Sequence, residues 1–231
     1  MNLHILFEDE HIIVCYKPSG IPTQTAKLGA VDMVSLLKNY LHKNLKDKKE
    51  PYVAVIHRLD QPVEGILVFA KTPFAAKELN KDMQQGAGFG KYYKAVLRGV
   101  PAENTGMLED YLIKDGRTNT SRVCAATERD AKKAVLEYEV LGTYEVESNL
   151  RSLVRIKLHT GRHHQIRVQM ANMGCAIMGD TKYGVDKNGV NVDKSRKQIA
   201  LCAYRLEFAH PKTKKKMEFE IEPKSEGFQG V

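Results

Sequence analysis

The stretch His57-Arg58-Leu59-Asp60, continued by Gln61-Pro62-Val63-Glu64-Gly65, places the polar residues His57, Arg58, Asp60 and Glu64 in a short connection between two apolar runs. Asp60 in that setting can carry chemistry, or be no more than the partner of Arg58 in a surface ion pair of little energetic weight. Its flanks, Val53-Ala54-Val55-Ile56 and Ile66-Leu67-Val68-Phe69-Ala70, have strand length and are bracketed by Pro51, Pro62 and Gly65, so both read as interior strands. Pro62 fixes its own backbone angle and stiffens the connection, and loops held by a rigid sheet often carry chemistry.

Two further stretches hold residues of chemical interest. Lys91 to Gly99 has the period of a strand, with Tyr93, Ala95 and Leu97 on one side and Lys94 and Arg98 opposite. Tyr93 therefore faces either the core, with its hydroxyl hydrogen-bonded, or a cleft. His159 to Met170 crosses from a strand end into a helix in which Ile166, Met170 and Met173 recur before Gly174, with Arg162 and Arg167 flanking the first turns. His159, His163 and His164 have no partnering carboxylate or cysteine motif, so polar hydrogen bonding is the expectation for them, not metal ligation.

The remaining elements must position these groups. Leu3 to Phe7 and His11 to Tyr16 read as strands, after which Lys17-Pro18-Ser19-Gly20 breaks the sheet. Asp32 caps a helix reaching about Lys43, with Met33, Leu36, Leu37, Tyr40 and Leu41 on one face, and Thr72-Pro73 opens a second helix ending before Gly86. Pro101 to Asn119 reads as irregular with a short hairpin, and Ser121 to Ala126, Ala134 to Thr143 and Leu153 to Leu158 as strands. Arg155 and Lys157 share a face that suits either water or an RNA backbone. Gln198 to Phe208 and Lys216 to Ile221 form a closing hairpin with a basic tip. The polar segments Lys43 to Glu50 and Val185 to Lys197 read as loops.

A chain of 231 residues can bury a sizeable core, and one compact catalytic unit is expected. Lys and Arg number 36 against 28 acids, a net charge of +8 that suits a polyanionic partner without identifying one. The four cysteines form no Cys-x-x-Cys pair, which signals neither a zinc site nor a disulfide framework. No apolar segment reaches membrane-spanning length and the first ten residues lack the pattern of a leader, so a soluble intracellular protein is the expectation.

Taken in order from about Ile5 to Ile221, the chain resembles the RluA-like family of RNA pseudouridine synthases. The resemblance rests on Ile5-Leu6-Phe7-Glu8-Asp9-Glu10, Lys17-Pro18-Ser19-Gly20, His57-Arg58-Leu59-Asp60, Lys91-x-Tyr93-x-Ala95, Thr160-Gly161-Arg162-x-His164-Gln165-Ile166-Arg167, Gly179-Asp180-x-x-Tyr183-Gly184 and the closing Leu201-x-Ala203-x-Arg205-Leu206-x-Phe208-x-His210-Pro211. Any one is weak, but the ordered set is specific. The resemblance implies a single α+β catalytic domain over residues 1–231 with the pseudouridine synthase fold: a bent, mixed, mostly antiparallel sheet, flanking helices and a central RNA cleft. The small RNA-binding module that many relatives carry ahead of this domain is expected to be absent.

The resemblance also implies the chemistry. Uridine's glycosidic bond is broken, the base rotates in place, and C5 is joined to the sugar, with no metal, cofactor or energy source. Asp60 is then the essential carboxylate, acting at C1′ as a nucleophile or at C2′ as a base. Arg167 would hold it charged and oriented, and Tyr93 would pack against uracil and assist proton loss at C5. Leu201 would wall the pocket, Arg58 would fill the space left by the flipped base, and His57, Arg162, His164 and Gln165 would contact substrate. The expected partner is structured RNA, rRNA or tRNA, met by a cytoplasmic monomer. Val63-Glu64, where the family more often has Thr-Ser, and Gln169 and Cys202, where it commonly has His, depart from the pattern. These departures motivate a second reading, a catalytically silent RNA-binding protein of the same fold. A third, an aspartate-dependent glycosidase, needs Glu64 as the partner carboxylate.

Overall fold

The computed structural model describes residues 3–27, 29–44, 49–86, 88–146, 148–184 and 198–229. The chain divides into two compact units, Met1–Gly90 with Ala203–Glu222, and Lys91–Cys202 with Pro223–Val231. Its class is α+β, with mixed, mostly antiparallel strands and three α-helices among the described residues.

In the first unit the apolar run after Asp60 becomes β4, Glu64–Ala70, buried at every position. It pairs antiparallel with β2, Ile12–Lys17, from Ile12 opposite Ala70 to Lys17 opposite Gly65. Strand β1, His4–Glu8, lies antiparallel on the far side of β2. The run before Asp60 is not the interior strand its composition suggests. Only Ala54 and Val55 form β3, both are half-buried, and they pair with no more than the last turn of β4 before the chain departs into the Asp60 loop. Strand β10, Leu201–Ala209, neighbours β4, and β11, Lys216–Glu220, closes the expected hairpin antiparallel to β10. Gly65 has φ 140°, and a Cβ there would stand 2.5 Å from the Cβ and carbonyl oxygen of Ala203, so only glycine lets the two backbones meet just beyond Asp60.

Helix α1, Met33–Asn44, buries Met33, Val34, Leu37 and Leu41 and is capped by Asp32, whose Oδ1 accepts from Ser35 N–H at 2.7 Å. Helix α2, Pro73–Gln85, has the start and stop that its sequence announces. Thr72 Oγ1 accepts from Ala75 N–H at 3.1 Å, Pro73 occupies the first turn, and Gly86 ends the helix at φ 66°. Thr72→Ala is expected to lower stability by about 1 kcal/mol in urea denaturation without altering the shape of the transition.

In the second unit five strands run in the order β5, Gly90–Arg98; β9, Asn149–Leu158; β8, Lys132–Val146; β6, Thr105–Asp115; and β7, Thr120–Cys124, each antiparallel to its neighbour. The segment read as irregular is therefore an eleven-residue strand. Its side chains mix apolar and polar types without a strict alternation and only Leu112 is buried, so much of its order comes from backbone ladders to β7 and β8, which no hydrophobic period announces. Arg155 and Lys157 share a face as expected, where Arg155 pairs with Glu139 across the ladder and Lys157 faces Glu137. Helix α3, Gln165–Asn172, follows β9, and its Val168 packs against Leu112 and Ala134 with Val123 and Tyr183 alongside. The loop expectation for Val185 to Lys197, and that for 45–48 within Lys43 to Glu50, lie outside the described residues.

Candidate active site

Asp60 is half-buried at a turn closed by Val63 N–H donating to the Asp60 carbonyl at 3.0 Å. The loop that carries it is clamped to residues 17–23 almost entirely through main-chain atoms. Thr23 Oγ1 donates to the Leu59 carbonyl at 3.0 Å and accepts from Leu59 N–H at 3.1 Å. Ser19 Oγ donates to the Pro62 carbonyl at 2.7 Å, and Gly20 N–H donates to the Gln61 carbonyl at 2.9 Å. At the centre of the clamp Lys17, fully buried, donates from Nζ to the carbonyls of Pro18, Ile21 and Gln61 at 3.0, 2.6 and 3.1 Å. The Lys-Pro-Ser-Gly stretch, which in sequence only breaks a strand, is what sets the height and tilt of the Asp60 turn.

Burial pushes Lys17 down to about 7, while the Asp60 and Glu64 carboxylates pull it back toward the charged form. An ammonium has the three donors that three carbonyls require, so the clamp is complete when Lys17 is protonated. With a folded pKa below its ordinary 10.5, Lys17 binds fewer protons in the folded chain than in the unfolded one between about 7 and 10.5. Its contribution to stability is present above 10.5 and is lost as pH falls through about 7. Lys17→Met is expected to remove that pH dependence, to take from the Pro18 and Ile21 carbonyls the donor that Lys17 supplies at a cost of about 2 kcal/mol, and to slow turnover more than tenfold. Denaturation at pH 7 and 9.5 beside single-turnover rates checks all three.

Glu64 is buried, and Tyr16 Oη donates to its carboxylate. That bond and the nearby Lys17 give Glu64 a structural setting at the base of β4. His57 is half-buried, with its ring edge-on to Phe89 at 5.8 Å, and Arg58 is exposed.

The second unit holds the other candidates. Tyr93, on β5 opposite Ile156, is 6% exposed, and Leu201, at the start of β10, is 3% exposed. Arg167 on α3 is held by Asp180 through two parallel bonds, Nε to Oδ2 at 2.8 Å and Nη2 to Oδ1 at 2.7 Å, and both side chains are buried. The same Oδ1 accepts from the backbone N–H of Lys182 and Tyr183, which folds the Gly179 to Gly184 turn around the ion pair. The Tyr183 ring lies 5.2 Å from the Arg167 guanidinium carbon, and its hydroxyl meets His164 Nδ1 at 2.7 Å while accepting from Ser121 N–H at 2.8 Å. His163 stacks on His164, ring centroids 3.7 Å apart, and bonds Ser121 Oγ at 2.9 Å. His164 and Gln165 therefore serve the local network. Gln165 Oε1 accepts from Thr160 Oγ1 and Arg162 N–H, and its Nε2 donates to the Val135 carbonyl, which locks the turn before α3. Gln169 donates to Asp110 at 2.7 Å, tying α3 to β6.

Asp60 thus lies in the first unit, and Tyr93, Arg167 and Leu201 in the second. Sequence reading missed Lys17, Thr23 and Asp180 as the residues that orient them. The first and last sit inside quoted motifs, and a lysine or aspartate directly beside a turn-forming Pro or Gly is the only signal they gave.

Residues 11–172 match the family model described as RNA pseudouridylate synthase. An "Uncharacterized RNA pseudouridine synthase" of Helicobacter pylori is 31% identical over 96% of this chain, which spans 66% of that relative's length. "Ribosomal large subunit pseudouridine synthase D" of Pseudomonas aeruginosa is 33% identical over 95% of the chain and 68% of its own, and "tRNA pseudouridine synthase C" of Vibrio vulnificus 29% identical over 95% and 90%. Among solved structures, human RNA Pseudouridylate Synthase Domain Containing 4 superposes with a TM-score of 0.77 at 22% identity, covering 96% of this chain and 88% of that one, a likeness of fold.

Proposed function

The chain belongs to the RNA pseudouridylate synthase family, and on that footing we propose that it isomerises specific uridines in rRNA or tRNA to pseudouridine through Asp60. The observation that carries the reading is the clamp of the Asp60 loop, which lies inside the matched region and fixes a carboxylate-bearing turn by four hydrogen bonds donated by Lys17, Ser19, Thr23 and Gly20. A rigid mount is what a group needs when it must act on one atom of a sugar ring.

In this reading Asp60 attacks C1′ or takes a proton from C2′, the C1′–N1 bond breaks, the uracil turns, and C1′ joins C5. A proton leaves C5 and N1 gains one, so the isomerisation conserves every atom and needs no oxidant or reductant. Tyr93 packs against the uracil and assists the C5 proton loss. Arg167, oriented by Asp180, holds Asp60 ionised, and Leu201 walls the base from water. Arg58 occupies the place of the flipped base, and His57, Arg162, His164 and Gln165 serve RNA contact and its support. The 231 residues act as one catalytic domain and as a cytoplasmic monomer. No described helix is long and apolar enough to cross a membrane.

The test is pseudouridine mapping of total RNA from cells with and without the gene, followed by incubation of the deficient RNA with the purified chain. Sites that vanish with the gene and return with the protein carry the proposal. Unchanged maps would sink it.

A further inference from the structure

We propose that Lys91 binds a backbone phosphate of the RNA at the nucleotide being modified, with Gly161 and Arg162 completing its seat, an inference that rests on Tyr93 facing the target uracil. Lys91 stands two residues before Tyr93 on β5, so the two side chains project from the same face. Its Cα partner across the ladder is Leu158, the last residue of β9, and the chain turns from there through His159, Thr160, Gly161 and Arg162. A Cβ built on Gly161 would lie 3.4 Å from Lys91 Nζ, at van der Waals contact, so the amine lies beside the backbone of that turn.

The setting of this amine differs from that of other cations of the chain. Lys133 pairs with Glu109, Arg155 with Glu139, and buried Lys17 has three carbonyls. Lys91 Nζ has no hydrogen-bond or ion-pair partner among the described residues, and burial alone depresses its pKa. A cation withdrawn from water without a partner destabilises the fold, and an anion arriving with the substrate relieves that cost. Arg162, the residue after Gly161, adds a second cation to the turn. Its Nε donates to the Lys133 carbonyl at 2.8 Å, it has no carboxylate partner among the described residues, and it is exposed. The seat is built in advance, because Gln165 and Val135 hold Thr160 and Arg162 through side-chain and main-chain bonds. A compact ammonium with three donors suits a phosphate oxygen, and RNA supplies one phosphate per nucleotide.

The experiment measures equilibrium binding of a fluorescein-labelled RNA stem-loop with uridines in its loop, over a series of KCl concentrations, to wild type, Lys91→Met, Lys91→Arg and Lys157→Met. Lys157→Met removes a half-buried lysine that faces Glu137. Lys91→Met is expected to weaken binding several-fold and to flatten the slope of log K against log[KCl] by about 0.7 to 0.9, the loss of one phosphate contact. Lys91→Arg keeps the slope, Lys157→Met changes it less than Lys91→Met does, and the Tm of Lys91→Met is no lower than that of wild type. An unchanged slope in Lys91→Met, or a weakening that follows a fall in Tm, overturns the proposal. Pseudouridine formation by wild type on total RNA is scored separately. A wild type that makes none while the slope change persists removes the isomerase reading and leaves the anion seat.

Discussion

Asp60→Ala is expected to abolish pseudouridine formation while the chain still folds and still binds RNA. The bonds that shape the loop run to the main-chain carbonyls of Leu59, Gln61 and Pro62, and the substitution leaves all of them in place. What it removes is the one carboxylate in the HRLD stretch, whose job as nucleophile or base no neighbour can assume from the same position. Loss of a positioned acid–base group costs about a hundredfold to ten thousandfold, and loss of a nucleophile more, so the rate should fall by at least about a thousandfold. Single-turnover release of tritium from RNA labelled at C5 of uridine measures it. Asp60→Asn separates charge from shape: activity within tenfold of wild type in that variant would end the assignment of an ionised carboxylate.

Asp180→Ala should give the largest loss of stability. The buried Arg167 guanidinium would lose both of its parallel bonds, and the turn would lose the acceptor of the Lys182 and Tyr183 N–H groups. Removing one partner of a buried ion pair costs about 3 to 5 kcal/mol. Asp180→Asn keeps one acceptor and should lose less. The double variant Arg167→Met with Asp180→Leu removes both charges and is expected to recover most of the stability in urea denaturation, yet to remain inactive. Recovery of activity along with stability would mean that Arg167 serves the fold alone.

Local signals made part of this molecule legible in its sequence. An apolar run of five residues foretold β4, and the Thr72-Pro73 opening with Gly86 at the end foretold α2, because propensity, capping and packing agree at those places. Strand β6 escaped notice because its apolar and polar side chains follow no strict alternation and only Leu112 is buried, so its ladders do much of the holding. The candidate site divides in the same way. Asp60, Tyr93 and Arg167 stand in recognisable stretches, but the groups that hold them are distant in sequence. Lys17 reaches Gln61 across 44 positions, Thr23 reaches Leu59 across 36, and Gln169 reaches Asp110 across 59. Such bonds depend on the tertiary path of the chain, to which no local period or propensity is sensitive.

The hairpin of β10 and β11 belongs to the first unit although it follows the second in the chain. During synthesis on the ribosome, β1, β2 and β4 emerge early, and the neighbour of β4 emerges more than a hundred residues later. At chain growth of about 5 to 20 residues per second, that flank of β4 waits for several seconds with its backbone groups unsatisfied. A strand buried at all seven positions is then an aggregation template, and its shield is the last large element to arrive. Stalled translation short of Ala203, or C-terminal truncation there, should therefore yield insoluble chains even though the candidate residues Asp60, Tyr93 and Arg167 have already been made.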